Sequence, residues 1–312
     1  MRKYLLPALL ALFFASCSDD SPTGPYTPIV PTFSNNPVPL TDIYDELPDV
    51  SRCFEGKLKA SEAQKVLSYV NQIRALHGLL PAEYRTDDNV RTAKASLIIA
   101  ASSSLTHFPQ PSAPCYSQEA YDGSSTSNIA YRSGTGTPSE TFVDMWLADV
   151  GVASLGHRRW IIDPFLRYIS FGRCDRASGG SITGSAIKVI YGEQRDISAT
   201  ATDFVAYPYH DYPARLLPNG AMLSLSVVAS RTNKGASGGV DYSAATITMT
   251  SDAGVDVAAT DITSDRDGYG LANNLRWKGA GLVAGTRYNV EVKNVIHGGS
   301  ARNYSWWFTL VQ

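Results

Sequence analysis

The feature that most constrains the fold of this 312-residue chain is a change in hydrophobic periodicity near residue 200. Before that point, apolar residues recur at helical spacing, as in 66–73. After it, short segments such as 223–227 alternate with period two, as strands with one buried face do. We therefore predict an α+β chain in which a mixed unit, residues 49–198, precedes an all-β unit, residues 199–312, with each unit folding separately.

Composition and charge narrow the class of protein. Hydrophobic residues make up 44% of the chain and charged residues 18%, which is typical of a globular protein and not of a disordered one. The formal net charge is −2, so the chain has no basic surplus that could neutralise a phosphate backbone. We therefore expect no nucleic-acid partner.

The first residues resemble the export signal of a bacterial lipoprotein. A basic start precedes an apolar stretch, 5–14, which is too short to span a bilayer as a helix. Residues 14–17 then resemble a lipobox, in which small residues precede a cysteine that becomes acylated. We predict that 1–16 is a signal peptide and that Cys17 carries the lipid. The protein is then expected to associate with the membrane through this N-terminal lipid anchor. An ordinary cleavable signal with a chance cysteine is the alternative.

Residues 17–48 are predicted to be a lipidated tether. Prolines recur there at short intervals among Thr, Ser and Asn, a composition typical of extended, semi-rigid linkers. The acidic residues directly after Cys17 resemble a surface-export signal, and a plain soluble linker start explains them equally well. The expected location is the cell envelope, anchored in the outer membrane, with exposure at the cell surface left open.

Four segments resemble, in order and spacing, the motifs of the CAP superfamily, the SCP-like domain of cysteine-rich secretory proteins. They are the helical segment 66–78, Leu105-Thr106-His107, Asn128-Ile129-Ala130-Tyr131, and the stretch from Trp146 through Gly156-His157-Arg158 to Trp160. The resemblance covers roughly residues 58–195 and implies an α-β-α sandwich. The tail, with Tyr207-Pro208 and 282–288, resembles the Ig-like domain, an antiparallel β-sandwich, that often follows bacterial CAP domains.

The same resemblance implies a cleft that holds two histidines and two acidic residues. The residues expected to line this cleft or bind its ligand are His107, Ser127, Asn128, Asp149, His157 and Arg158. Ser127 stands where the family motif has Glu, so Asp149 is left as the single acidic member. Ser127 is expected at the rim of the cleft, and Asp149 on the apolar stripe of its helix.

The two histidines are also candidate metal ligands. Neutral imidazoles bind divalent transition metals, and carboxylates orient them and balance the charge. Because one acidic residue is missing, we expect His107 and His157 to hold a divalent ion such as zinc weakly or not at all. The alternative is that both histidines only form hydrogen bonds and that Asp149 pairs with Arg158.

Beyond Cys17, the cysteines are Cys53, Cys115 and Cys174. An exported protein meets an oxidising compartment, so one disulfide and one free thiol are expected. Cys115 follows His107 in a loop, and Cys174 ends a predicted strand near the cleft. We therefore predict a Cys115–Cys174 disulfide and a free Cys53.

Three functions are compatible with these features. The first is a non-enzymatic lipoprotein whose cleft binds a small molecule, a lipid or a divalent ion. The second is a hydrolase that uses the histidines and Asp149, although the chain has no His-Glu-x-x-His motif. The third is a surface adhesin or scaffold that meets its partner through the β unit. We expect the first, and no catalytic residue is assigned.

Overall fold

The computed structural model describes residues 32–312. The predicted signal peptide, Cys17 and the first part of the predicted tether lie outside the described residues. The helices are α1 (Leu40–Ile43), α2 (Ala60–Leu76), α3 (Asn89–Ser102), α4 (Gln118–Ser125), α5 (Ser139–Ala148) and α6 (Gly156–Ile161). Within 32–312, no helix has the length and apolar character needed to cross a membrane.

The strands confirm the predicted α+β class and the change of character near residue 200. In the first part of the chain they are β1 (Tyr44–Glu46), β2 (Lys57–Leu58), β3 (Glu83–Tyr84), β4 (Ser127–Ser133), β5 (Tyr168–Arg176) and β6 (Ile182–Lys188). In the second part they are β7 (Phe204–Tyr207), β8 (His210–Pro213), β9 (Leu223–Val227), β10 (Thr246–Ser251), β11 (Ala259–Asp265), β12 (Asn274–Gly279), β13 (Arg287–His297) and β14 (Ser300–Val311).

The first part contains a four-stranded sheet with helices on both faces. Its strand order is β3-β5-β6-β4, with β3 parallel to β5 and the other pairs antiparallel. Alternate residues of a strand point to opposite faces of a sheet. Accordingly, Phe171 and Ile187 pack in one cluster with residues of α2 and α5, whereas Ala186 packs in another with residues of α3 and α4.

Two glycines allow α3 to lie directly against this sheet. A Cβ atom on Gly172 would stand 2.3 Å from the carbonyl carbon of Thr92, and one on Gly184 would stand 2.4 Å from the carbonyl oxygen of Ser96. Real side chains do not tolerate such distances, so only glycine fits at these two positions. The close approach fixes the level of α3, and therefore of the loop that follows it and carries His107.

The second part consists of two four-stranded sheets that face each other. Their strand orders are β10-β13-β14-β8 and β11-β12-β9-β7. Trp277 of one sheet and Trp306 of the other are buried with their ring centroids 6.1 Å apart, which places both in the layer between the sheets. The predicted sandwich was antiparallel throughout, but β8 pairs with β14 in parallel.

One continuous apolar core connects the two parts. The largest cluster of buried residues runs from Val66 in α2 to Leu310 in β14. His77, just after α2, is also buried: its Nδ1 lies 2.8 Å from the carbonyl oxygen of Ala206, and its Nε2 lies 3.2 Å from the hydroxyl of Tyr212. The junction near residue 200 is therefore packed and hydrogen-bonded.

The predicted Cys115–Cys174 disulfide is wrong. The bond joins Cys53 to Cys115, whose Cα atoms are 5.2 Å apart. Cys174 is a free, fully buried thiol in β5 and packs with Leu97 and Ala100 of α3. Cys115 borders that same cluster, but the turn at Cys53 reaches it from outside while the Cys174 side chain is enclosed beneath α3.

Candidate functional site

A cleft of about 540 Å³ opens where the loops after α3 and α5 meet a loop of the second part. It is lined by His107, Phe108, Ser125, Ser127, Asn128, Val152, Ser154, Gly156, His157, Trp160, Ile190, Gly268 and Tyr269. Four of the six predicted cleft residues therefore line it, namely His107, Ser127, Asn128 and His157. The walls are mainly apolar and aromatic, which is typical of sites for small molecules.

Asp149 lies behind the cleft and holds His157 in place. α5 ends at Ala148, and Asp149 follows in the left-handed conformation, with φ of 51°. This turn directs its buried carboxylate toward α6, where Oδ1 accepts a hydrogen bond of 2.8 Å from Nδ1 of His157. Oδ2 accepts a second bond of 3.2 Å from the backbone N–H of Arg158. Because Nδ1 donates to this carboxylate, the proton of the neutral imidazole is on Nδ1, and Nε2 has a lone pair that can accept.

His107 is oriented by a similar hydrogen bond. Its Nδ1 lies 2.8 Å from the backbone carbonyl oxygen of Ser124 at the end of α4. A carbonyl oxygen can only accept, so the proton of the neutral ring is on Nδ1 and Nε2 is again an acceptor. The two imidazole rings are tilted by 31° with their centroids 6.4 Å apart. The cleft thus contains two oriented acceptor nitrogens.

The donor set does not fit a resident metal ion. Residues 32–312 contain no group of three or more His, Cys, Asp or Glu side chains that could hold one. Zinc sites in proteins use four protein ligands when structural and three when catalytic. His107 and His157 provide two, and the carboxylate of Asp149 is already engaged by Nδ1 of His157 and by the N–H of Arg158.

Ser127 and Asn128 come from the start of β4 and lie deep in the cleft. Ser127 is 3% exposed, so it is at the base and not at the predicted rim. Its Oγ has no hydrogen-bond partner in the part of the chain that the structure describes. Asn128 donates from Nδ2 to the backbone carbonyl of His157 at 2.9 Å, which ties β4 to α6. A buried hydroxyl without a partner is costly, and a bound ligand or water would satisfy it.

Arg158 was predicted to line the cleft, and the structure places its side chain elsewhere. The fully buried guanidinium donates to the backbone oxygens of Leu147, Ala148 and Met222 at 2.7 Å each. It also lies 3.7 Å from the centroid of the Tyr207 ring. Arg158 therefore joins α5 to the second part of the chain, because the turn of α6 that directs His157 into the cleft directs its neighbour into the core.

Sequence reasoning missed the apolar and aromatic walls of the cleft. Phe108 follows His107 directly, and Trp160 lies three residues after His157. This proximity in sequence to predicted cleft residues was the signal that could have found them. Tyr269 belongs to the loop between β11 and β12, in the part of the chain that the motifs do not cover. The glycines on each side of Tyr269 were the only hint that a backbone approaches closely there.

No Lys or Arg lines the cleft among the described residues. The nearest one identified is the ammonium group of Lys234, which lies 4.7 Å from the Trp160 ring centroid. That ammonium is already paired with the carboxylate of Asp163. The cleft therefore offers imidazole nitrogens and aromatic faces, and no Lys or Arg that could pair with an anion.

Comparisons with known proteins add little to this geometry. No family model matches the chain, and no curated protein matches it. Among the solved structures that match is an extracellular protein containing an SCP domain from Bacillus anthracis str. Ames, with 12% sequence identity and a TM-score of 0.29. The match covers 42% of each chain. A TM-score of 0.29 is too low to establish a common fold.

Proposed function

We propose that this chain is an exported binding protein in which a CAP-type unit precedes an Ig-like domain. Its cleft holds a small molecule without transforming it. The observation that carries the proposal is the polar base of the cleft. Ser127 lies at this base, and its buried hydroxyl has no partner among the described residues. His107 and His157 line the same cleft, each with Nδ1 bonded to a protein oxygen and Nε2 able to accept when the ring is neutral. A small molecule that enters the cleft can satisfy these groups and bury its apolar surface at the same time.

Binding to the cleft can be tested with the neutral fluorescent dye Nile red. In the Cys17→Ser protein, which carries no acyl chains that take up the dye, we expect one dye molecule per chain. Adding Val152→Trp should lower the affinity at least tenfold, because the indole would fill the cleft from its wall. Val150→Trp is the matched control, since Val150 is 52% exposed and does not line the cleft. Equal affinity in both variants would mean that the dye binds elsewhere and would contradict the proposal.

Hydrolysis is the second candidate, and the Asp149–His157 pair is the observation that favours it. In catalytic triads, a carboxylate accepts a hydrogen bond from Nδ1 of a histidine and so orients that histidine, the general base, toward the nucleophile. The nucleophile is the weak point, because Ser127 Oγ has no hydrogen bond to either imidazole. We expect no release of p-nitrophenol from p-nitrophenyl acetate beyond that of a Ser127→Ala variant. Turnover that depends on Ser127 and His157 would favour the hydrolase.

Export and lipid anchoring belong to the same proposal. The Cys53–Cys115 disulfide supports an oxidising compartment, where such bonds persist. Replacing Cys17 by Ser should move the protein from the membrane fraction to the soluble fraction after cell breakage. Unchanged partitioning into detergent would contradict lipidation at Cys17 and leave the binding proposal intact.

A further inference from the structure

The cleft receives one of its walls from the second part of the chain. Gly268 and Tyr269 of the β11–β12 loop line it together with His107 and His157. Tyr269 is 40% exposed, and its ring packs on α6, since a Cβ atom on Gly156 would come within 3.1 Å of Cδ1 of that ring. The aromatic face is thus next to His157 in space, although 112 residues separate the two in sequence.

Arg159 fixes the position of this loop. Its guanidinium donates to the backbone oxygen of Asp267 at 2.6 Å and to that of Leu271 at 2.8 Å, on either side of Tyr269. It also pairs with the carboxylate of Asp265 at 2.8 Å, and its side chain is only 3% exposed. Gly270 permits this contact, because a Cβ atom there would lie 2.3 Å from the carbonyl oxygen of Arg159. The Tyr269 backbone is therefore held from both sides.

The polar groups of the cleft select ligands that donate hydrogen bonds. The Nε2 atoms of His107 and His157 accept in the neutral rings, and the hydroxyl of Ser127 can accept or donate. A carboxylate or phosphate group would bring further acceptors to the neutral rings and would find no Lys or Arg on the cleft wall. A ligand with several hydroxyl donors fits this pattern.

The walls select a ligand that also has an apolar face. Phe108, Trp160 and Tyr269 present aromatic surface, and Phe108 is 60% exposed at the mouth. A pyranose ring combines a face of C–H groups with a rim of hydroxyl donors, so it can stack on an aromatic ring while its hydroxyls reach the imidazoles. Fatty acid anions offer the apolar surface without the donors, and the quaternary amine choline has a single hydroxyl donor.

Building on the proposed cleft, we propose that its ligand is a neutral saccharide and that Tyr269, supplied by the second part of the chain, is a specificity-determining residue on which the sugar ring stacks. The hydroxyls of the sugar donate to His107 and His157. Arg159 is a positioning residue that acts through the Tyr269 loop. The site is therefore complete only when both parts of the chain are present.

Saturation-transfer difference NMR on the full-length protein tests this inference. The ligands are glucose, mannose, galactose and N-acetylglucosamine, with sodium octanoate and choline chloride as the other two chemistries. We expect ring C–H protons of at least one saccharide to receive saturation. The affinity should fall at least fivefold in Tyr269→Ala and remain in Tyr269→Phe. Tyr131→Ala is the matched control, since Tyr131 is 38% exposed and does not line the cleft.

A second variant makes the test independent of the β11–β12 loop. His107→Phe keeps a ring on an exposed position and removes one acceptor, and it should also weaken saccharide binding at least fivefold. Absence of signal from all four saccharides overturns the inference, and so does saccharide binding that is equal in Tyr269→Ala and Tyr131→Ala. If octanoate or choline binds and the saccharides do not, this inference fails while the proposed binding function stands. Failure of the Nile red experiment counts against the proposed function itself.

Discussion

At the scale of single residues, His157 and Arg158 are adjacent in sequence and have different roles. Helical geometry turns successive side chains by about 100°, so one of them lines the cleft while the other joins α5 to the second part of the chain. Asp149 was predicted to continue the helix, but it lies one residue beyond it in a left-handed turn. The sequence predicted a polar partner for its buried carboxylate, because an unpaired charge is costly, but not the backbone turn that provides it.

The cysteine pairing gives a prediction at this scale. Cys115→Ser should lower the free energy of unfolding by about 4 kcal/mol, because the disulfide closes a loop of 62 residues and so restricts the unfolded chain. Cys174→Ser removes no cross-link and should cost less. Urea unfolding of both variants measures the difference.

Thiol titration checks the same assignment directly. Burial raises the pKa of the Cys174 thiol, so it should react with a disulfide reagent only after the protein is unfolded. A native-state thiol that maps to Cys53 would contradict the pairing.

His77 gives a prediction about pH. Burial lowers its pKa to about 3, from an ordinary value near 6.5. Between these values the unfolded chain binds a proton that the folded chain does not, so stability falls as the pH falls below about 6.5. From about pH 7 to about pH 5.5, His77 should account for a loss of about 1 kcal/mol. In urea unfolding, the His77→Gln variant should not show this loss of stability between the two pH values. The same pH slope in both proteins would refute it.

At the scale of elements, the strands were easier to predict than the short helices. The prediction of 223–227 as a strand is confirmed by β9. In β13 buried and exposed residues alternate, because one face of the strand is buried. In β9 all five residues are buried, and its serines accept hydrogen bonds from Arg158 and Asn274. α4 and α6 have 8 and 6 residues, too few for a helical repeat to emerge from the sequence, and both position cleft residues. The part of the site that sequence could not predict therefore depends on tertiary contacts.

The contact between α3 and the sheet can be tested with one added methyl group. Gly184→Ala should lower stability by about 2–3 kcal/mol, because the new Cβ would meet the backbone of Ser96 and neither element can shift without disturbing the core. Gly192→Ala is the control, since no atom lies within 4 Å of a Cβ there. Equal stability of the two variants in thermal unfolding would argue against the close packing.

At the scale of the whole molecule, the two parts are joined more strongly than the sequence predicted. The change of periodicity near residue 200 suggested two units that fold separately. Yet His77, Arg158 and Arg159 are buried and each bonds to the second part. Separation of the parts would break these hydrogen bonds and expose the apolar core that both share. We therefore expect one cooperative thermal transition in calorimetry. Two resolved transitions, or a stable isolated fragment of 199–312, would contradict it.

Arg158 tests this coupling most directly. Arg158→Met should destabilise the protein by about 3–5 kcal/mol, since it leaves several buried carbonyl oxygens without a donor. The control Arg132→Met replaces an exposed arginine of β4 and should change stability by less than about 0.5 kcal/mol. Denaturant unfolding compares the two. A small effect of Arg158→Met would mean that the junction contributes little.

The position of β14 has a consequence for the order of events during synthesis. β14 comes last among the strands, yet it lies inside its sheet, between β13 and β8. It also contributes Trp306, Phe308 and Leu310 to the core that both parts share. Until residues 300–311 have left the ribosome, β8 has no neighbour and the shared core is open. The sheet and the shared core therefore close only after this last strand has been synthesised.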